Sequence, residues 1–144
     1  MARRAEFDND DDVTLLARGM FGEARGEELR GIIGVGLVVM NRIKSRRRYG
    51  DTVRKVLLRA WQFSAFNKND PNLKKLLNPT KTNRERWKIC LQCADLVLSG
   101  DVFDYTLGAT HYHDVSIKAP WWVRQTKVLE TLKTRRLLFY ANVD

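Results

Sequence analysis

The stretch from Glu28 to Lys44 constrains the fold more than any other part of the chain. Ile32, Ile33, Gly36, Leu37, Val39, Met40 and Ile43 follow a helical period, and the segment is apolar nearly all round. A helix without a polar stripe must be enclosed on every side, so it reads as the central buried helix of a domain. Gly31, Gly34 and Gly36 each cost about 1 kcal/mol of helix propensity relative to alanine. The expected return is close approach by a neighbouring element. The uninterrupted apolar part, Ile32 to Met40, is about half the length a membrane span needs, so enclosure by protein is the alternative that remains.

The elements around it follow from period and punctuation. Val13, Leu16, Ala17, Met20 and Ala24 share one helical face behind Asp12, a suitable N-cap, with Gly26 as terminator. Asp51 opens a short helix through Leu58. Trp61 to Asn72 reads as a loop, followed by a short helical piece to Leu77. Thr82-Asn83-Arg84-Glu85 has the form of a capping box for a helix closed by Gly100. Val102 to Val115 mixes aromatics, threonine and glycine, which predicts short strands or an ordered loop. Lys127 to Leu138 reads as a basic, partly amphipathic helix whose charged face is solvated. Residues 1–11 read as a polar N-terminal tail and 12–144 as a single domain. The fold class is mainly α (α+β), a helical domain with a small β or irregular insertion.

Charge narrows the partners. The net charge is +9, and residues 1–28 hold eight acids against four bases, which leaves 22 bases against 9 acids after them. Such a field attracts polyanions without naming one. Arg46-Arg47-Arg48 adds a nucleic-acid-binding module as a rival reading. Cys90 and Cys93, adjacent turns apart on a helix, are poorly placed to pair with each other and read as buried reduced thiols. His111 and His113 do not complete a zinc site at the usual spacing, and neither metal nor cofactor is expected.

Glu23 is the residue best suited to chemistry. It borders the apolar face of its helix and lies near the negative helix end; both conditions raise a carboxyl pKa, as a general acid at neutral pH requires. Around it stand Leu15-Leu16-Ala17-Arg18, Phe21-Gly22-Glu23-Ala24-Arg25-Gly26-Glu27 and Gly34-Val35-Gly36-Leu37-Val38-Val39-Met40-Asn41-Arg42. Gln62-Phe63-Ser64, Gly108-Ala109-Thr110-His111-Tyr112-His113, Pro120 with Trp122, and Phe139-Tyr140 follow in order. This series resembles the spore cortex-lytic and cell-wall hydrolase family, which includes catalytic domains of phage endolysins. It spans about residues 13–140. Where the family often carries Ile-Gly-x-His before the closing aromatic pair, this chain has Arg135-Arg136-Leu137-Leu138, and Lys68 to Arg86 also departs from the family's pattern.

The resemblance implies a lysozyme-like fold for residues 12–144, acting as a peptidoglycan-cleaving domain on the β-1,4 bond between N-acetylmuramic acid and N-acetylglucosamine. Glu23 aligns with the family's catalytic glutamate and would protonate the glycosidic oxygen. A lytic transglycosylase then reuses Glu23 as base to close a 1,6-anhydro ring. A hydrolase (muramidase) needs a second carboxylate, for which Glu27, Asp104 and Asp114 are the candidates. Gln62, Ser64, Thr110, His111, Tyr112, His113 and Trp122 are candidate substrate contacts, with Trp61 and Trp121 as further sugar-stacking aromatics. The expected setting is that of a single-domain endolysin: a monomer held in the host cytoplasm until a holin releases it to the periplasm or wall. Peptidoglycan is its partner, anionic lipopolysaccharide a second one, and neither nucleic acid nor stable membrane insertion is expected. A non-catalytic peptidoglycan-binding relative is the remaining alternative.

Overall fold

A computed structural model describes residues 5–45, 48–59 and 62–144. Arg46, Arg47 and Trp61, singled out above for nucleic acid and sugar binding, lie outside the described residues. The helices are α1 (Asp12–Ala24), α2 (Leu29–Ser45), α3 (Val53–Leu58), α4 (Pro71–Leu77) and α5 (Pro79–Ser99). The strands β1 (His111–Asp114), β2 (Leu129–Lys133) and β3 (Leu137–Ala141) form one antiparallel sheet in the order β1-β3-β2. This is the mainly α, lysozyme-like α+β fold the sequence implies.

Helix α2 is packed against α1, α3 and α5, but the central place expected for it falls to α1, which packs against all four other α-helices. The glycines of α2 sit where neighbours come closest. A Cβ on Gly34 would lie 2.8 Å from Phe139 Cζ, and one on Gly36 2.5 Å from Met20 Cε. A Cβ on Gly31 would lie 1.9 Å from Glu27 Cγ. Bare backbone at these positions lets the sheet, α1 and the turn before α2 close onto the helix. The core joins Leu15, Leu16 and Met20 of α1, Ile32, Val35 and Val38 of α2, Cys90 and Ala94 of α5, and Phe139 of β3. Cys90 and Cys93 are free buried thiols, and burial pushes the Cys90 thiol up to about 12. Among the described residues no helix is long and apolar enough to cross a membrane.

Four local expectations are corrected. The polar tail does not extend to residue 11: Ala5–Phe7 forms a 3-10 turn, Phe7 is fully buried against Phe66, and Asp10 pairs with Arg18 at 2.8 Å. One apolar ring and one ion pair are enough to hold an otherwise polar segment on the domain. The caps of α1 and α3 fall one residue from those expected, on Asp11 and Thr52. Thr82 does not open α5, which starts at Pro79 and kinks at Asn83, whose Oδ1 accepts from the Arg86 amide at 3.1 Å. Lys127 to Leu138 is not a helix; it is most of the β2–β3 hairpin. Pairing of β3 with both β1 and β2 decides that segment, and it carries Leu137 and Phe139 into the core.

Candidate active site

A cleft runs across the molecule where the C-terminal end of α1 meets the sheet. Gly22, Glu23, Asn72, Asp114 and Leu137 line its middle and belong to both of its ends. One end is a recess of about 420 Å³ that adds Arg25, Gly26, Glu27 and Arg136. The other, about 360 Å³, adds Arg42, Gln62, Ser64, Tyr112, His113, Ile117, Pro120 and Trp122. Both volumes suit a bound ligand segment.

Glu23 lies half-buried at the meeting point of the two ends. The Ala65 amide donates to its Oε2 at 3.0 Å and the Tyr112 hydroxyl donates to its Oε1. Helix α1 can bring this residue to the cleft floor because Gly22 offers no side chain: a Cβ there would meet Ala65 Cβ at 2.7 Å. Burial raises the Glu23 carboxyl above its ordinary value, against the lowering effect of the Tyr112 and Ala65 hydrogen bonds; the charge of Asp70 adds to the rise and that of Arg42 opposes it. Tyr112 is itself raised well above the usual phenol range by burial and by the neighbouring Glu23 charge, so it remains a donor. The result is a carboxyl held in one orientation and kept ready to carry a proton.

The second-carboxylate candidates separate clearly. Glu27 is almost fully buried. Its Oε1 accepts from the amides of Glu28 at 2.8 Å and Arg135 at 3.1 Å; its Oε2 accepts from the Arg136 amide at 2.6 Å and the Thr134 hydroxyl at 2.8 Å. It is a clasp between the α1–α2 turn and the β2–β3 turn, so its expected catalytic place is withdrawn. Asp104 is withdrawn too, since it does not line the cleft. It accepts from Asn41 Nδ2 at 3.0 Å, the Thr106 amide and the Gly108 amide at 2.9 Å, and the Thr106 hydroxyl. Burial pushes the Asp104 carboxyl up, but these bonds outweigh it and leave the carboxyl below its usual value. Asp114 does stand in the middle of the cleft, joined to Arg136 through Nε and Nη2 at 3.2 Å each. Against modest burial, the Ser116 and Arg136 bonds hold it low, as a carboxylate.

Among the expected substrate contacts, Gln62, Ser64, Tyr112, His113 and Trp122 line the cleft and Thr110 and His111 do not. Tyr112 points to Glu23, whereas His111 and His113 pack around Trp122 at ring distances of 4.8 and 6.2 Å. Thr110 bonds the His111 ring at 2.9 Å instead of facing the cleft. Burial, assisted by Arg42 and Arg48, lowers His111 to about 4, so it is neutral at neutral pH. Trp122 is fixed edge-on against Tyr140 at 5.2 Å and offers the cleft only part of its ring. No group of three or more potential metal ligands gathers among the described residues.

Sequence reasoning missed Arg42, Asn72 and Arg136. Arg42 is buried at the end of α2, donates to Thr110 O at 2.7 Å and Gln62 Oε1 at 2.9 Å, and stacks over Phe63 and Tyr49. It ties the Gln62 loop to β1 beside Glu23. A cation on an otherwise apolar helix was the available signal. For Asn72, nothing in the local sequence distinguishes it from a turn asparagine.

The model of one protein family, cell wall hydrolase, matches residues 26–140. The chain belongs to the cell wall hydrolase family. The matched region starts just after Glu23 and ends at the closing Tyr140. Two solved structures share the fold of this cell wall hydrolase. The catalytic domain of the Bacillus cereus SleB protein is 22% identical, with 96% of this chain and 98% of that one covered at a TM-score of 0.64. The catalytic domain of the germination-specific lytic transglycosylase SleB from Bacillus anthracis is 19% identical, with 92% and 97% covered at a TM-score of 0.65. No protein of curated function matches the chain in sequence.

Proposed function

We propose that this cell wall hydrolase cleaves the β-1,4 bond between N-acetylmuramic acid and N-acetylglucosamine in peptidoglycan, with Glu23 as general acid and base. The observation that carries the reading is a single carboxyl with a raised pKa, oriented by Tyr112 and the Ala65 amide, at the centre of a continuous two-ended cleft. A glycan strand laid along the cleft brings one glycosidic oxygen to Glu23. Proton transfer from Glu23 to that oxygen releases the leaving sugar as the C1–O bond breaks. The carboxylate formed then removes a proton from the muramic C6 hydroxyl, whose oxygen attacks C1 to close a 1,6-anhydro ring. Alternatively it removes one from water, which gives a reducing end.

The first route is favoured. Glu27 and Asp104 are engaged elsewhere, and Asp114 is neutralised by Arg136 and the Ser116 amide, which weakens it as a base toward water. Lytic transglycosylation also accords with the activity named for the Bacillus anthracis neighbour. For biological role, the proposal is host-cell lysis as an endolysin, released from the cytoplasm by a holin. The basic surface supports this by favouring an anionic wall, and lipopolysaccharide phosphates would be held by the same charge.

Mass spectrometry of soluble fragments from purified peptidoglycan tests the chemistry, with Glu23→Gln as the comparison. Fragments with 1,6-anhydro ends from the native chain, and a loss of roughly 10²–10⁴ in rate for the variant, are expected. Reducing muramic ends would replace transglycosylation by hydrolysis. Absence of glycan fragments from the native chain would overturn the enzymatic reading.

A further inference from the structure

The two ends of the cleft differ in chemistry. Beyond Glu23 toward Tyr112 the walls carry Gln62, Ser64, Pro120 and Trp122, groups suited to sugar hydroxyls, N-acetyl groups and ring faces, and the one arginine there, Arg42, is buried and bonded to Thr110 O and Gln62 Oε1. Toward Gly26 the walls instead carry Arg25, at the C-cap of α1, and Arg136, on the β2–β3 turn. These two arginines come from elements far apart in sequence and line the same recess.

The anions in that recess are already engaged. Glu27 is enclosed by its four donors, and Asp114 takes the Nε and Nη2 edge of Arg136. The Arg136 side chain nevertheless stays 54% exposed. Arg25 makes one long bond, at 3.4 Å, to Phe21 O, and rests over the Phe21 ring. Two guanidiniums thus meet one incompletely buried carboxylate. Planar guanidinium donors match a carboxylate better than any other side-chain cation does.

We infer that Arg25 and Arg136 form a subsite for the carboxylate-bearing side arm of the muramic residue, so that the preferred substrate is glycan carrying acidic stem peptides. This rests on the peptidoglycan reading above and deepens it. Of the two alternating sugars only the muramic one bears an acidic arm, on the lactyl group at its C3. Placing that arm in the arginine recess also fixes the direction of the strand across Glu23. Arg136 lies within the Arg135-Arg136-Leu137-Leu138 segment, where the chain departs from its family's usual sequence, whereas Arg25 lies within the Phe21–Glu27 block that carries the resemblance.

The test compares two forms of one purified peptidoglycan, with stem carboxylates free or converted to neutral amides by carbodiimide and ammonia. Initial rates are measured for the wild type, Arg136→Gln, Arg136→Lys and Arg25→Gln. Arg136 meets Glu27 through its backbone amide, which Arg136→Gln retains, and thermal unfolding of each variant checks the fold. The wild type is expected to lose about tenfold in kcat/KM on amidated wall, mostly through KM, as for one charge-assisted hydrogen bond. Arg136→Gln and Arg25→Gln are expected to lose much of that discrimination, and Arg136→Lys to recover part of it. Equal wild-type rates on the two walls, or unchanged discrimination in both glutamine variants, would overturn the subsite. A wild type that cleaves neither wall would instead remove the enzymatic reading, and the subsite with it.

Discussion

Four carboxylic side chains, Glu23, Glu27, Asp104 and Asp114, show how identical chemistry diverges with surroundings. Glu23 has its pKa raised by burial, so folding favours its protonated form. Between the ordinary glutamate value and the raised one, the native state binds more protons than the unfolded chain, and stability falls as pH rises through that window. Glu23→Gln removes this cost. Urea unfolding is therefore expected to show the variant more stable than wild type at neutral pH, with the gain vanishing below about pH 4, where both forms are neutral. Wild-type cleavage should decline as pH rises through the raised Glu23 value, and a rate profile flat across that range would contradict the general-acid role. Replacing Glu27 has the opposite effect on stability. In Glu27→Gln an amide N–H₂ must face backbone donors, which costs about 1–3 kcal/mol for each bond left unmade and lowers the urea midpoint. The sequence pointed to Glu23 through its place on the border of an apolar face and, more strongly, through the resemblance that aligns it with a catalytic glutamate; from the wheel alone a solvated surface glutamate was the commoner reading. It could not separate Glu27 or Asp104 from Asp114, since their donors come from Thr134 to Arg136 in one case and Asn41 to Gly108 in the other. No local pattern encodes those meetings.

At the scale of elements, period carried the helices and failed at the sheet. Helix α2 was legible in its extent and the purpose of its glycines, while the central place expected of it belongs to α1. Gly34→Ala follows as a sharp test. The new methyl would sit 2.8 Å from the Phe139 ring, and the strain should cost about 1–3 kcal/mol, read as a lower urea midpoint at unchanged slope. The β2–β3 hairpin was misread because its exposed strand β2, Leu129–Lys133, carries charges that mimic a solvated helix face. Its inward side is defined only by β1 and by Phe139 against Gly34, both distant in sequence. Phe7 escaped for the same reason, a lone aromatic whose partner Phe66 lies far along the chain.

The molecule as a whole couples a net positive charge to a cleft with a partly exposed arginine pair at one end only. Lysis of intact walls is expected to weaken between about 0.1 M and 1 M salt, as the screening length shrinks from about 10 Å to about 3 Å. Cleavage of short amidated glycans should change little over the same range, and turbidity and fragment assays side by side distinguish the two. The Glu27 clasp bears on when this activity can begin. It joins residue 27 to residues 134–136, a contact more than a hundred positions long. Such contacts close late, after the local helices have formed. A chain emerging from the ribosome therefore presents Glu23 on its helix long before the opposite wall of the cleft exists, and the unfinished protein has nothing with which to grip a glycan. Synthesis itself delays completion of the cleft until the last strand is in place.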